Sequence, residues 1–406
     1  MKISLLKTAR QLALGLILAT NLILFVACGS SSDSSNSSDG SNHKRLFDPA
    51  LQQLFEHDLI VVTTDYTGYG SASIFNSTSS EISNDLIKLH SDTVGRVIDD
   101  RLFFIERSGA DSLIEAEFNV ALNEVNILNQ FSTSPGSNPH DMLLISPSRA
   151  FIGLYEKSGL PLFDISESFP EEAPIKGEID LSTYADDDGI PEIDLFFEDD
   201  DNIYFTISNM DRDNDWQPSE KGSKIIAIQK DQLSNDDLSD VTLSEIDLPL
   251  NNPSDIFRID EERVLIALTG SYSDYDDGGI VEFNLSDHTT KIVATGTDLG
   301  GNISNIAMID EDEGFVIVSK YLDSQYITEL KYIKLNDDAD LEISLLPSDA
   351  SASFNDIVVI GSKLIVADRD YEKPGIRLFD TTTREELPDS PISTGKVPPF
   401  ELILVN

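Results

Sequence analysis

Six short phrases in the chain set an acidic or amide residue between a turn and a mostly apolar run. They are Asp141 in "NPHDMLLI", Glu192 in "IPEIDLFF", Asp255 in "NPSDIFRI", Asn305 in "NISNIAMI", Asp356 in "SFNDIVVI" and Glu401 in "PPFELILV". Singly, a carboxylate or amide after a turn accepts hydrogen bonds from its own backbone two residues on. Gathered on one axis, carboxylates repel each other, raise one another's pKa and invite a cation. The sequence leaves both uses open.

Other residues carry their own chemistry. "NMDRDNDWQPSEKG" (209–222) holds Asp211, Asp213 and Asp215 at alternate positions, the spacing of oxygen-ligand calcium loops. Trp216 and Gly222 stand where an EF-hand needs its Gly and Glu, so any calcium loop here is of another kind. "YADDDGIP" (184–191) offers Asp186, Asp187 and Asp188, and "GSYSDYDDGG" (270–279) offers Asp274, Asp276 and Asp277. Calcium is the one cofactor these residue types suggest. Solvated acidic loops are the alternative. Trp216, the only Trp, either caps the core or presents an aromatic face to a ligand. Arg107 and Arg369 each end an apolar run amid acids. They are expected to pair with Asp99, Asp111, Asp368 or Asp370, or to anchor a carboxylate-bearing ligand. Of five histidines only His140 neighbours one of the six recurring residues. No Gly-x-Ser-x-Gly, His-Glu-x-x-His, phosphate loop or dinucleotide fingerprint is present. No catalytic set is therefore assigned; were the chain an enzyme, His140 and Arg107 would carry the reaction.

The elements that position these residues follow from their spacing. With Gly95 as a further marker, the intervals are 46, 51, 63, 50, 51 and 45 residues. Each marker is followed by a second strand, as in "RLFFIER", then a third, as in "SKIIAIQ", and in most units a more polar fourth. Four strands in about fifty residues make one β-propeller blade. Six units arise this way. "HDLIVVTTDY" (57–66) reads as a second strand lacking a first, and "VPPFELILVN" (397–406) as a first strand lacking a second. Joined, they make a seventh blade and remove the exposed edges of an open array. An all-β, seven-bladed propeller over residues 57–406 is expected, with a short helix over 47–56 before it. First strands beside the axis would bring Asp141, Glu192, Asp255, Asn305, Asp356 and Glu401 to one channel mouth. Loops after the second strands would add Arg107, Arg369 and Trp216.

The phrase "NPHDMLLISPSRAFIGLYEKSGLPLFDI" (138–165) resembles the blade of the YVTN-type β-propeller repeat family. Residues 186–228 resemble blades of bacterial propeller lipoproteins of unassigned activity. That resemblance implies a fold and an exported setting, and little chemistry.

The N-terminus agrees with export. Lys2, Lys7 and Arg10 precede the apolar run "LALGLILATNLILFVA", and Cys28 follows, the only cysteine of the chain. Phe25-Val26-Ala27-Cys28 resembles the bacterial lipobox, apart from Phe25 where Leu is usual. By that resemblance residues 1–27 are removed and Cys28 carries the lipid. Gly29, which is not Asp, favours the outer membrane. Residues 28–46 then form a lipidated, Ser-rich tether. A lone cysteine permits no internal disulfide. Net charge is −45, which excludes nucleic acid as a partner. The expected function is an envelope-anchored, monomeric binding module for an unidentified protein or glycan. Alternatives are a metal-assisted lactonase-like hydrolase or lyase, and a structural envelope component.

Overall fold

Runs such as "RLFFIE" and "RAFIGL" are apolar at nearly every position rather than at alternate ones. Such a strand must be covered on both faces. The structure, a computed structural model, describes residues 58–405 except 120–123, 167–168, 171–173, 272–276, 323–324, 336–341 and 347–350. The leader, Cys28 with its tether and the helix expected over 47–56 lie outside the described residues.

Seven antiparallel sheets surround one axis. The strands nearest the axis are Pro399–Leu404 in blade 1, Thr93–Ile98 in blade 2, Pro139–Ser146 in blade 3 and Ile193–Glu198 in blade 4. Pro253–Arg258, Asn302–Met308 and Phe354–Ile360 serve blades 5, 6 and 7. Each innermost strand neighbours those of the adjacent blades, and the circle is complete. Blade 1 is built from both ends of the described chain: Asp58–Thr64 pairs with Pro399–Leu404 on one side and Gly70–Asn76 on the other. Six blades have four strands, and blade 7 has three. The outer place in blade 7 is taken by an irregular return of the chain, bridged at Ile376 to Ile392 and Phe379 to Glu386.

The core is divided among the blade interfaces. Seven apolar clusters occupy the seven interfaces, including the one between blades 7 and 1. The second strand of blade 2 shows how one apolar run serves two of them. Leu102 and Phe104 pack toward blade 1, while Phe103 and Ile105 pack toward blade 3. Each such side chain contributes roughly 1.5–3 kcal/mol of burial. Outer strands such as Glu124–Ser132 are mostly exposed and polar, which guards their free edges against pairing with other chains.

Six of the seven innermost strands share a distortion, and that of blade 2 lacks it. Register slips by one residue between Pro139 and Asp141, Ile193 and Phe196, Pro253 and Asp255, Ile303 and Asn305, and Phe354 and Asp356. Opposite Val62 and Thr63 the same slip skips Phe400. A bulge breaks the in-out alternation of a strand, so two consecutive side chains turn to the same side. Here that side is the channel.

Candidate functional site at the channel mouth

Along the axis runs a cavity of about 700 Å³. Bulges send pairs of consecutive residues into it: His140 with Asp141, Asp194 with Leu195, Ser254 with Asp255, Asn355 with Asp356, and Phe400 with Glu401. Asn305 lines it as well. Five of the six recurring residues therefore share one lumen. Glu192 does not join them. In blade 4 the bulge puts Leu195 at the equivalent place, three residues further on, and Glu192 is fully buried under Arg212.

The recurring carboxylates stitch blades together. Asp141 accepts from its own neighbour's N–H at Met142 (2.8 Å) and from Phe196 N–H of blade 4 (2.8 Å). Asp255 accepts from Ile256 (2.8 Å) and from Ile306 of blade 6 (2.9 Å). Asp356 repeats the pattern with Ile357 (2.8 Å) and Leu402 of blade 1 (2.6 Å), and takes Asn305 Nδ2 at 3.1 Å. Glu401 accepts from Gly95 N–H of blade 2 at 2.6 Å. The bond to the chain's own backbone is one residue on, not two, and the second bond crosses to the next blade. Arg96 ties three blades at once, through Asp141 (2.6 Å) and Glu401 (2.8 Å). These contacts join every pair of adjacent blades except 4 and 5, where Leu195 has nothing to offer. The turn-plus-polar phrase in the sequence thus marks a bulge and an inter-blade clasp.

Burial raises the pKa values of these acids, and crowding adds to it at Asp255 and Asp356. Burial pushes Asp255 up to about 6. Burial does the same more strongly to Asp356, with repulsion from Asp255 and Glu401 added. Asp141 and Glu401 are also raised by burial, against the pull of Arg96. Glu192 is pushed up to about 7 by burial, opposed by its bonds to Arg212 and Met210 N–H. A carboxyl whose folded pKa exceeds its unfolded value holds a proton that the unfolded chain releases. Stability from these groups is therefore fully present below pH 4 and lost as pH rises through about 6 to 7. Exposed turn carboxylates act oppositely: Asp180 and Asp237 are held low by the N–H and hydroxyl of Ser182 and Ser239, and what they contribute is lost in strong acid. The melting temperature is expected to peak near pH 5 and to stand about 3–6 °C above its value at pH 7.5, read by circular dichroism. A flat profile from pH 5 to 7.5 would contradict the crowding.

The rim above this layer is aromatic and cationic. His140 Nδ1 lies 3.0 Å from Asp194 Oδ1, and its ring stacks on Tyr155 at 4.1 Å. Arg107 is bound by Asp92 (2.6 and 2.9 Å), a partner the sequence reading did not name, and lies 5.8 Å over Phe400. Arg369 donates to the carbonyls of Pro399 (3.2 Å) and Thr64 (2.9 Å) and lies 4.0 Å over the Tyr66 ring. Asp368 and Asp370, expected near Arg369, turn instead to Arg377. Trp216 is half-buried under Arg212 at 4.9 Å. Arg212 binds Glu156, Asp188 (3.3 Å) and Glu192 (2.8 Å).

The acidic loops cap their own turns. Asp211 accepts from the N–H groups of Asp213 and Asn214 (both 3.1 Å), Asp186 from Asp188 (3.0 Å), and Asp188 from Ile190 (2.7 Å). Asp215 has a left-handed backbone at the turn before Trp216. Asp277 accepts from Ser271 N–H at 3.0 Å, while Asp274 and Asp276 lie outside the described residues. Among the described residues no group of three or more His, Cys, Asp or Glu side chains is gathered as a metal site.

What the sequence reading missed is the residue before each recurring acid. His140 was noticed alone; Ser254, Asn355 and Phe400 share its bulge position, as Asp194 does before Leu195. The signal was the second consecutive polar residue in "HD", "SD" and "ND".

No known family's sequence profile and no curated protein matches the chain. Solved structures do. A candidate 6-phosphogluconolactonase from Bacteroides fragilis aligns with TM-score 0.59 at 13% identity, over 86% of this chain and 98% of its own. A second from Bacteroides uniformis gives 0.58 at 13% identity, over 84% and 97%. At such identities the likeness is one of fold, and the chain is a seven-bladed β-propeller of the architecture those proteins share.

Proposed function

We propose that the chain is a lipid-anchored envelope protein that presents its propeller as a rigid binding module, with the channel mouth as the receptor site. The observation that supports this best is the repeated bulge. It turns paired side chains from several blades into one concave space of about 700 Å³, the size of ordinary ligand pockets. Anchoring at Cys28 through the Ser-rich tether would hold the chain at a membrane, the outer one by the residue after the cysteine. The partner is a protein or a glycan, and the module works as a monomer because the closed ring offers no inner edge for assembly.

The test is thermal unfolding of the full-length chain in detergent against a panel of glycans and envelope proteins. A saturable rise in melting temperature that His140→Ala removes is expected, with Cys28→Ser abolishing membrane fractionation. No ligand-dependent shift across the panel would leave a structural role. A second reading is favoured by the His140–Asp194 pair and by the candidate lactonases that share the fold. In it the same mouth hydrolyses a lactone, with His140 as base and Arg107 holding the substrate. Turnover of a lactone panel that His140→Ala abolishes would put hydrolysis in place of binding.

A further inference from the structure

Among the described residues Arg369 forms no salt bridge, in a chain of net charge −45. Its two bonds go to neutral carbonyls, and the ring beneath it is Tyr66. Burial lowers its pKa, and the attraction of Tyr66 and Asp65 does not make up the difference. Arg107 nearby is already satisfied by Asp92. Among the described arginines of this rim, the part-buried guanidinium of Arg369 is thus the one not bound to a carboxylate.

The surface around it is also unusual. Among the described residues five aromatic side chains are exposed, and four are tyrosines: Tyr66 (55%), Tyr321 (56%), Tyr326 (58%) and Tyr371 (94%). Tyr66 and Tyr371 lie on the loops that follow the second strands of blades 1 and 7, and Tyr321 and Tyr326 at the paired ends of the second and third strands of blade 6; these blades are neighbours in the ring. Tyr321 and Tyr326 face each other across a hairpin, and Tyr326 lies within electrostatic reach of Tyr66. Phe400 meets Tyr66 edge-on at 5.7 Å. The exposed aliphatic residues lie elsewhere: Ile127, Ile175, Ile292 and Leu345 on outer strands and Leu404 at the far end of its strand. A protein-docking core would draw on aliphatic as well as aromatic surface. Tyrosine alone, ring plus hydroxyl, suits a hydrated partner with flat C–H faces.

We propose that this sector of the rim is a subsite for an anionic glycan, a chain of uronic-acid sugars that lays one carboxylate on Arg369 and its rings on the tyrosines. This deepens the binding reading above and rests on it. The throat sets the ligand's course. Asp141, Asp255, Asp356 and Glu401, against Arg96 and an Arg107 already bound to Asp92, repel a second carboxylate from the lumen, so the chain runs across blades 6, 7 and 1 rather than down the axis.

The experiment is calorimetric titration of the full-length chain in detergent with a galacturonate hexamer, its methyl ester and a neutral glucose hexamer. The free acid is expected to bind at least tenfold more tightly than the ester, and added salt to weaken it. Arg369→Lys should lose about tenfold, because a compact ammonium cannot reproduce the stacked, forked geometry. Tyr326→Ala with Tyr371→Ala should lose at least fivefold, and both substitutions lie on exposed positions that leave the fold intact. Equal affinity for acid and ester, or full affinity in the double tyrosine variant, overturns the subsite. If no hexamer binds while another ligand still raises the melting temperature in a His140-dependent way, the subsite falls and the receptor mouth stands.

Discussion

Arg377→Met is expected to lower stability by about 3–5 kcal/mol, the usual cost of removing one partner from a buried ion pair. Arg377 is 3% exposed, and Asp368 and Asp370 beside it are 0% and 2% exposed. Its Nε meets Asp368, Nη1 meets Glu386 at 3.1 Å, and Nη2 lies 3.8 Å from Asp370. Burial already pushes Asp368 up, opposed by the Ser353 N–H and by Arg377. Methionine fills the space but leaves that buried carboxylate without a cation, held only by the N–H groups of Ser353 and Asp370. Glu386 belongs to the irregular return that closes the outer edge of blade 7, so that edge should loosen too. The melting temperature at pH 7.5 should fall by roughly 6–10 °C, and by less at pH 5, because the raised pKa of Asp368 eases its protonation as pH falls. A second variant, Arg377→Met with Asp368→Asn, should recover part of the loss. Equal losses at both pH values would show that packing, not charge, is at stake.

Asp356 separates hydrogen bonding from charge. It accepts from Ile357 N–H, Leu402 N–H and Asn305 Nδ2. Alanine would leave these donors in a largely protein-lined throat without an acceptor, at about 1–3 kcal/mol for each one that water cannot reach. Asp356→Ala should therefore cost about 3 kcal/mol in urea unfolding. Asparagine keeps one acceptor oxygen and removes a charge from a site where Asp255 and Glu401 already repel it. Asp356→Asn should cost less than about 1 kcal/mol at pH 7.5 and should flatten the pH dependence of stability. If the two variants lose equally, the seam between blades 7 and 1 is not held by this clasp.

The seven blades were legible because a strand buried on both faces writes a continuous apolar run, and a closed ring repeats it at one period. "HDLIVVTTDY" and "VPPFELILVN" showed where the ring joins, since each lacked what the other supplied. The site was legible only in part. A bulge adds one residue without changing composition, so Glu192 passed for the lumen residue of blade 4 although Leu195 holds that place. Partners escaped for a different reason. Arg96–Asp141, Arg107–Asp92 and Arg377–Asp368 join residues 45, 15 and 9 positions apart. In a chain with 73 acids, proximity in sequence selects none of them. Arg369 stood out only once its neighbours proved to be carbonyls.

The union of Asp58–Thr64 with Pro399–Leu404 also governs how the molecule must come into being. Its partners are separated by nearly the whole chain, yet loop-closure entropy grows only with the logarithm of length, roughly 0.6 kcal/mol per doubling. The equilibrium penalty is therefore small, while the delay is not. Until the last strand emerges, blade 1 presents an uncovered inner edge, and blades 2 through 7 can stack only as an open arc. The order in which its ends arrive decides when the arc becomes a ring, and a chaperone that shields Asp58–Thr64 would guard the one strand that waits longest.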